Sequence, residues 1–480
     1  MLANQPAEFH IADTAAAHLG MASFSVYSTY TAELAAYVIA DAGARIMITE
    51  RAFLERALAV RDLGTTELET IVCVDGGNET TLSWDELTER APAGFDLDAA
   101  AQAIHPDDLL TLIYTSGTTG PPKGVELTHA NVMSAAAAVT ERLDLRPGWR
   151  VISWPPMAHI AERLCTNYVA ITLGWQMTTC ADPRAVAALL PEVRPNFFFS
   201  PPRLWEKLRA SVLARFGGSL ELAAADSAAV RHGLGLDQLK VAVVGAAPCP
   251  PEVIGFWHAL GVPLAEVYGM SETTGVATLN PPDAIKAGTA GPPLSGVEVQ
   301  LSAAGEVLVR GPVVMEGYRN LPEETAQAID AEGWLHTGDV GVFDDHGYLQ
   351  IIDRIKEIII NAAGKNMSPA NIEAALKAAS PMISIAACIG DGRPYNTALI
   401  VLDPDVAAGR SPRDPETVAL VQQAVDRANE RLPRVEQIKR FRIVEGDWPG
   451  GGDELTPTMK LKRSPIAQKY AAEIADMYAT

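Results

Sequence analysis

The sequence predicts an α/β protein in two parts: a large multi-subdomain N-terminal domain with parallel-rich sheets and a small β subdomain, then a smaller α+β C-terminal domain. Three observations predict it. Short apolar runs alternate with Ala-rich helical segments over most of the chain, a strand-rich stretch broken by Gly and Asp turns follows, and both element spacing and charge change after Asp353. The 480 residues suffice for about three ordinary domains, or one large and one smaller.

Residues 45–49, 70–74, 109–114, 151–154, 196–200 and 241–244 are the apolar runs, and residues 130–143 and 250–260 carry helical periodicity between them. That alternation argues for layered α/β structure with largely buried parallel strands. Residues 297–301, 305–310 and 348–352 read as strands of the small β subdomain. After Asp353 come a short strand at 358–360, a helix from Ser368-Pro369 to about Ala379, a hairpin-like stretch over 383–402 and a helix around 417–431. Neither an internal repeat nor a low-complexity linker is present.

The net charge is −21, and it is unevenly spread: 21 basic and 43 acidic residues up to Asp353, against 17 and 16 from Arg354 onward. Composition drift between two domains is the bland account of that contrast. An acidic chain lacks the footprint for coating nucleic acid, and it is repelled by an anionic membrane unless basic residues cluster. Five widely spaced cysteines without a CxxC pair argue against a disulfide framework and a zinc site. With no secretory-type start and no apolar run of about 18 residues, the chain is expected to be soluble and cytoplasmic.

The strongest motif is Tyr114-Thr115-Ser116-Gly117-Thr118-Thr119-Gly120-Pro121-Pro122-Lys123-Gly124, placed after the strand at 109–114 and before a helix beginning near Asn131. Backbone NH groups, hydroxyls and one lysine converge there in a pattern suited to phosphate. Pro122 stands where a Walker loop needs glycine before its lysine, so this is a different cradle. Farther on, Tyr268 and Gly269 offer a stacking face with close backbone approach, and Glu272 a hard oxygen ligand for Mg²⁺. Taken alone, each also reads as a core tyrosine or a solvated carboxylate. Asp339 reads as a carboxylate in a turn, able to accept both hydroxyls of a ribose, and Arg354 as a donor to the same sugar or to phosphate. A surface salt bridge explains either piece equally well on its own. Lys460 belongs, with Lys462 and Arg463, to a basic run in residues 455–463 before the last helix, which in isolation reads as a solvated patch.

Set in order, these segments resemble the AMP-forming adenylating superfamily of acyl-CoA synthetases, luciferases and peptide-synthetase adenylation domains. Residues 336–339, 353–359 and 364–373, and the stretch Ala158-His159-Ile160-Ala161-Glu162-Arg163, are similar to the long-chain fatty acid:CoA ligases. The resemblance implies ATP, Mg²⁺ and CoA as cofactors and a fatty acid as substrate. It implies residues 1–352 as the adenylate-forming domain, 353–357 as a hinge and 358–480 as a mobile cap. It carries over Thr115 through Lys123 (Ser116, Gly117, Thr118, Thr119 and Gly120 among them) to the β- and γ-phosphates, and Thr115 and Glu272 to the metal. Gly245, Ala246, Ala247, Tyr268 and Gly269 fall to the adenine, and Asp339 and Arg354 to the ribose. Lys356 takes the hinge position and Gly364 the loop lining the pantetheine tunnel. Lys460, Glu272, Arg354 and His159 are the implied catalytic residues, with Lys460 bridging the fatty carboxylate and the α-phosphate.

Three departures from the family pattern stand out. The first subdomain is expected to be shortened, because Asn4 to Phe9 resemble a segment that several strands and helices normally precede. Gly245-Ala246-Ala247 replaces a common double glycine, and Ser271 a usual threonine. The expected reaction is activation of a long-chain fatty acid to acyl-AMP with release of pyrophosphate, then thioester formation with CoA. An acyl-AMP ligase serving a carrier protein, and a non-catalytic nucleotide-binding protein, are the alternatives. Acyl chain length, oligomeric state and peripheral membrane contact stay open at this stage.

Overall fold

The computed structural model describes residues 1–4, 6–115, 121–362, 365–407 and 409–479. The chain has an α/β fold with a large N-terminal and a smaller C-terminal domain. The apolar runs form strands, because β-branched and aromatic side chains pack well on a pleated surface covered on both faces. Phe197–Ser200, Val241–Val244 and Leu264–Tyr268 lie parallel, with Thr278–Leu279 antiparallel at one edge. Every residue of the first two is buried. A second sheet runs in the order Ser23–Phe24, Leu109–Thr115, Lys123–Thr128, Gly317–Tyr318.

The helix His129–Leu143 fastens these two sheets together. Thr128 and Asn131 cap its start reciprocally, with backbone-to-side-chain bonds of 2.9 and 3.2 Å. Its buried face, Val132, Ala135, Ala136, Val139 and Leu143, shares one core with Leu110, Val125 and Leu127 of one sheet and Phe197 and Val243 of the other. Residues that end strands in either sheet are therefore held rigidly relative to each other.

The structure corrects two local expectations. The phosphate motif is the connection of a hairpin rather than a strand-to-helix loop, since Lys123–Thr128 is itself a strand, antiparallel to Leu109–Thr115 with Lys123 opposite Thr115. Asp339 sits inside the nine-residue strand Leu335–Phe343 rather than in a turn. That strand completes the small β subdomain, ordered Glu298–Leu301, Glu306–Arg310, Leu335–Phe343, Leu349–Arg354. One expectation of parallel layering is also narrowed, because the sheet carrying the phosphate hairpin is mainly antiparallel.

In the C-terminal domain, Ile383–Ile389 and Asn396–Leu402 form the expected hairpin, joined in parallel by Ile438–Ile443. The helices Pro369–Ala379 and Pro415–Arg431 cover one face of it. The final helices, Arg463–Lys469 and Ala471–Tyr478, cover the other. Lys207–Asp405 at 3.7 Å, Arg431–Glu252 at 2.9 Å and Arg203–Asp403 bridge the two domains. The first two are largely exposed pairs, worth about 0–1 kcal/mol each, whereas Asp403 in the third is buried.

Candidate active site

The strand Leu264–Tyr268 places Glu266 and Tyr268 on one face and Val267 on the other, by the two-residue repeat of a strand. After it the chain turns sharply. Met270 N donates to Thr273 Oγ1 at 3.0 Å, Gly275 N to Met270 O at 2.8 Å, and Ala277 N to Tyr268 O at 2.8 Å. A Cβ at Gly269 would lie 2.3 Å from Gly275 O, so only glycine lets the loop close. Thr274 takes a φ of +52°, uncommon for a β-branched residue, and its hydroxyl donates to Val313 O at 2.7 Å. This strained turn presents Glu272, which is 6% exposed.

Asp339 and Arg354 face each other across neighbouring antiparallel strands. Tyr268 OH donates to Asp339 Oδ2 at 2.7 Å, and Arg354 Nε to Asp339 Oδ1 at 3.0 Å. Burial opposes charge on Arg354, but the Asp339 carboxylate, helped by Glu272 and Glu357, outweighs it and holds the pKa above its ordinary value. Burial, then the Asp339 charge, keeps the Tyr268 phenol far above its ordinary range.

Lys123 meets the same cluster from the hairpin formed by Leu109–Thr115 and Lys123–Thr128. Its Nζ lies 4.9 Å from the centroid of the Tyr318 ring, and Tyr318 OH donates to Glu272 Oε1 at 2.8 Å. Thr115 Oγ1 donates to Lys123 O at 3.4 Å across the hairpin. Ser116, Gly117, Thr118, Thr119 and Gly120 lie outside the described residues, as does Gly364.

Lys460 arrives from the C-terminal domain on a tight loop. Thr456 N donates to Lys460 O at 2.8 Å, Lys460 N to Thr456 Oγ1 at 3.0 Å, and Met459 adopts a φ of +64° between them. The residue keeps accessible surface although protein atoms crowd its ammonium end. Burial, then Arg354, lowers its pKa, while Asp339, Glu272 and Glu357 pull the other way. His159 lies within reach of its charge. Burial and then the Lys460 charge push this imidazole down to about 4, so it is neutral at physiological pH.

Around Gly245 the wall is close. A Cβ there would meet Val267 Cγ1 at 2.5 Å, and the next residue, Ala246, has a φ of +65°. Beneath this wall, burial raises Glu266 to about 8, against the pull of a 3.3 Å bond from Cys249 N. Behind the turn at Gly275 lies a small apolar cavity of about 20 Å³, lined by Leu143, Cys165, Phe197, Val243 and Val267.

Tyr268, Glu272, Asp339, Arg354, Lys123, Lys460 and His159, scattered from 123 to 460 in the chain, thus share one electrostatic neighbourhood. Lys356 stands apart, exposed between Arg354 and Glu357. Sequence reasoning missed Tyr318, whose only signal was an aromatic after glycine near a strand end, and the ionisation of Glu266, which depends on tertiary burial. It also read Arg463 as part of a basic run. Arg463 instead binds Glu373 at 2.7 and 3.1 Å and Glu357 at 3.2 Å, joining the segment after Arg354 to the Lys460 loop.

Residues 1–319 match the family described as AMP-binding enzyme, and residues 356–480 match the AMP-binding enzyme C-terminal domain. A putative fatty-acid–CoA ligase, fadD11 of Mycobacterium tuberculosis, is 46% identical over 450 residues, covering 83% of this chain and 79% of its own length. The long-chain-fatty-acid–CoA ligase FadD15 of the same species is 33% identical, covering 98% and 86%. Among solved structures, the fatty acyl CoA synthetase of Mycobacterium tuberculosis aligns with a TM-score of 0.63 at 26% identity, over 98% of this chain and 87% of that one. The adenylation domain of a Mycobacterium chelonae carboxylate reductase aligns with a TM-score of 0.82 at 21% identity, over 99% and 79%, a likeness of fold.

Proposed function

The chain belongs to the AMP-binding enzyme family, and from that premise we propose how its own residues carry the family's chemistry. It is an adenylate-forming fatty-acid–CoA ligase that uses ATP, Mg²⁺ and CoA. The observation that supports the residue assignment is that Lys460, on the C-terminal domain, lies within the electrostatic reach of Asp339 and Glu272 of the large domain and of Arg354 between the two.

The residues present fit a magnesium nucleotide. A buried carboxylate, Glu272, and an ammonium, Lys123, share one tyrosine at the mouth of the phosphate hairpin. Gly245 and Gly269 are positions where any Cβ would collide with the protein itself, at Val267 and at the Gly275 backbone, so glycine lets the chain close tightly beside Tyr268. Thr115 and Glu272 would hold the Mg²⁺, whose charge polarises the phosphates when bound. Thr115, the hairpin and Lys123 would hold the β- and γ-phosphates. Gly245, Ala246, Ala247 and Tyr268 would flank the adenine, and Asp339, oriented by Tyr268 and Arg354, would accept the ribose hydroxyls.

A carboxylate is a poor electrophile, because hydroxide would have to leave. Attack of the fatty carboxylate on the α-phosphorus forms one P–O bond and breaks another, and pyrophosphate departs. Negative charge grows on the phosphate oxygens, where Lys460 supplies a fixed counter-charge. His159, neutral and with its Nδ1 already accepting from Ala161 N at 3.2 Å, adds no second cation. The second step needs the CoA thiol to reach the carbonyl from another side. We assign residues 1–352 to the adenylating domain, 353–357 to a hinge and 358–480 to a cap that turns to admit it. Exposed Ile355 and Lys356, between Arg354 bound to Asp339 and Glu357 bound to Arg463, support that assignment. Gly364 would line the pantetheine path.

The fatty acid would lie toward the apolar wall behind Gly275. The cavity there has room for about one water, so admitting an acyl chain requires those side chains to part. Among the described residues no helix is long and apolar enough to cross a membrane. We place the enzyme in the cytoplasm, a compartment that suits its five free, buried thiols. The test is ATP–pyrophosphate exchange driven by a panel of fatty acids, followed by thioester analysis with CoA present. Exchange with acyl-CoA is the expected result; exchange without thioester would reassign the acceptor to a carrier protein.

A further inference from the structure

We propose that Tyr318 is a positioning residue for the nucleotide reaction, one phenol that holds the carboxylate of Glu272 and the ammonium of Lys123 in fixed relation to each other. The proposal rests on the ligase reading above and deepens it at the phosphate end of the site. Tyr318 ends the strand Gly317–Tyr318, antiparallel to Lys123–Thr128. Its hydroxyl, in the ring plane, binds Glu272 Oε1 at 2.8 Å. The ring face takes Lys123 Nζ at 4.9 Å. The two contacts use different parts of the side chain and do not compete.

The ring's own place is fixed from several sides. Tyr318 N donates to Thr325 Oγ1 at 2.9 Å, Arg319 N to Gly124 O at 2.7 Å, and Met315 N to Glu272 O at 2.9 Å. Asn131 Nδ2 donates to both Pro312 O and Val314 O at 2.9 Å. The backbone bearing Tyr318 is thus tied to the strand that carries Lys123 and to the turn that carries Glu272. The consequence is electrostatic. A lysine on a flexible four-carbon stem beside a carboxylate tends to pair with it directly, which would neutralise both groups before a nucleotide arrives. Tyr318 gives each charge a separate neutral partner, so both stay committed to the phosphate side. Support of this kind around a metal-binding carboxylate is commonly worth 10–100-fold in metal affinity.

The test is calorimetric titration of ATP into the full-length protein without fatty acid, at a series of Mg²⁺ concentrations, for wild type, Tyr318→Phe and Tyr318→Leu. Tyr318→Phe keeps the ring and loses the bond to Glu272, so it should need about 10-fold or more Mg²⁺ for half-maximal enhancement of ATP binding, with affinity regained at high Mg²⁺. Tyr318→Leu should lose a further 2- to 30-fold in ATP affinity even at saturating Mg²⁺, because Lys123 has lost its ring. In a Glu272→Gln background, Tyr318→Phe should change little. A Tyr318→Phe titration superimposable on wild type would overturn the proposal, and this ring-conserving variant decides the matter if Tyr318→Leu does not fold. Binding needs no turnover, so a wild type that binds Mg–ATP but makes no acyl-AMP would sink the ligase reading while leaving the Tyr318 result intact.

Discussion

Replacing Glu162 by glutamine should stabilise the large domain by an amount that grows with pH. Glu162 is fully buried, and its Oε1 accepts from Ser153 Oγ at 2.8 Å, Trp154 N at 3.2 Å and Thr166 Oγ1 at 2.5 Å. Those three bonds favour the carboxylate, yet burial outweighs them and raises the group to about 8 from an ordinary 4.5. The unfolded chain releases this proton near pH 4.5, whereas the fold keeps it to about pH 8, so stability is lost as pH rises between those values. At about 1.4 kcal/mol per unit, the loss is about 3 kcal/mol at pH 7 and about 5 kcal/mol once the folded group has ionised. Glutamine keeps the acceptor and cannot ionise. Glu266 titrates in the same direction but is common to both proteins and cancels in the difference. The assay is urea denaturation followed by tryptophan fluorescence from pH 5 to 9, which reports mainly the large domain because seven of the eight tryptophans precede residue 353. Glutamine puts its NH2 where Glu162 Oε2 has no partner, a cost that does not vary with pH, so the variant's stability relative to wild type should rise by about 3 kcal/mol from pH 5 to pH 7. Parallel curves for the two proteins across that range would refute the reasoning.

Two further substitutions probe the stretch proposed to flank the adenine and the ion pairs beside the proposed hinge. Ala246→Gly relieves a left-handed alanine, worth about 1–2 kcal/mol, against the about 0.5–1 kcal/mol of extra unfolded-state freedom that glycine brings; a net gain of about 0.5–1 kcal/mol is expected in the same denaturation assay. Arg463→Ala leaves the buried Glu373 without its cation and should destabilise the C-terminal domain by about 3 kcal/mol, the low end for a broken buried pair because Arg463 is partly exposed, read as faster limited proteolysis after Asp353; Arg463→Ala combined with Glu373→Gln should recover part of that loss.

Much of the fold was legible because its strands are contiguous apolar runs. Phe197–Ser200 and Val241–Val244, buried along their whole length, needed no periodicity to be recognised. Lys123–Thr128 escaped notice because Lys, Gly and Glu interrupt its apolar residues, and its strand character comes from pairing with Leu109–Thr115. The strand holding Asp339 read as a turn because Thr337-Gly338-Asp339 has turn composition; the strand accommodates it with a positive φ of +71° at Gly338 and a register shift at Val340/Gly341. Motif residues of the site were legible as chemistry, since a lysine, a glutamate and an aspartate at those positions have few other shared uses. Tyr318, Glu162 and Arg463 were not, because what they do is set by neighbours distant in the chain: Glu272 for the first, burial for the second, Glu357 and Glu373 for the third.

The central claim, that Lys460 works in the first chemical step from the orientation seen here, is tested most directly by separating the two half-reactions in Lys460→Ala. With fatty acid, ATP and Mg²⁺, the variant should lose acyl-AMP formation by a factor far larger than any change in ATP affinity, because its charge acts mainly on the transition state. Supplied with ready-made acyl-AMP and CoA, it should form the thioester at close to the wild-type rate. Equal losses in both half-reactions, or an unaltered first step, would contradict the account.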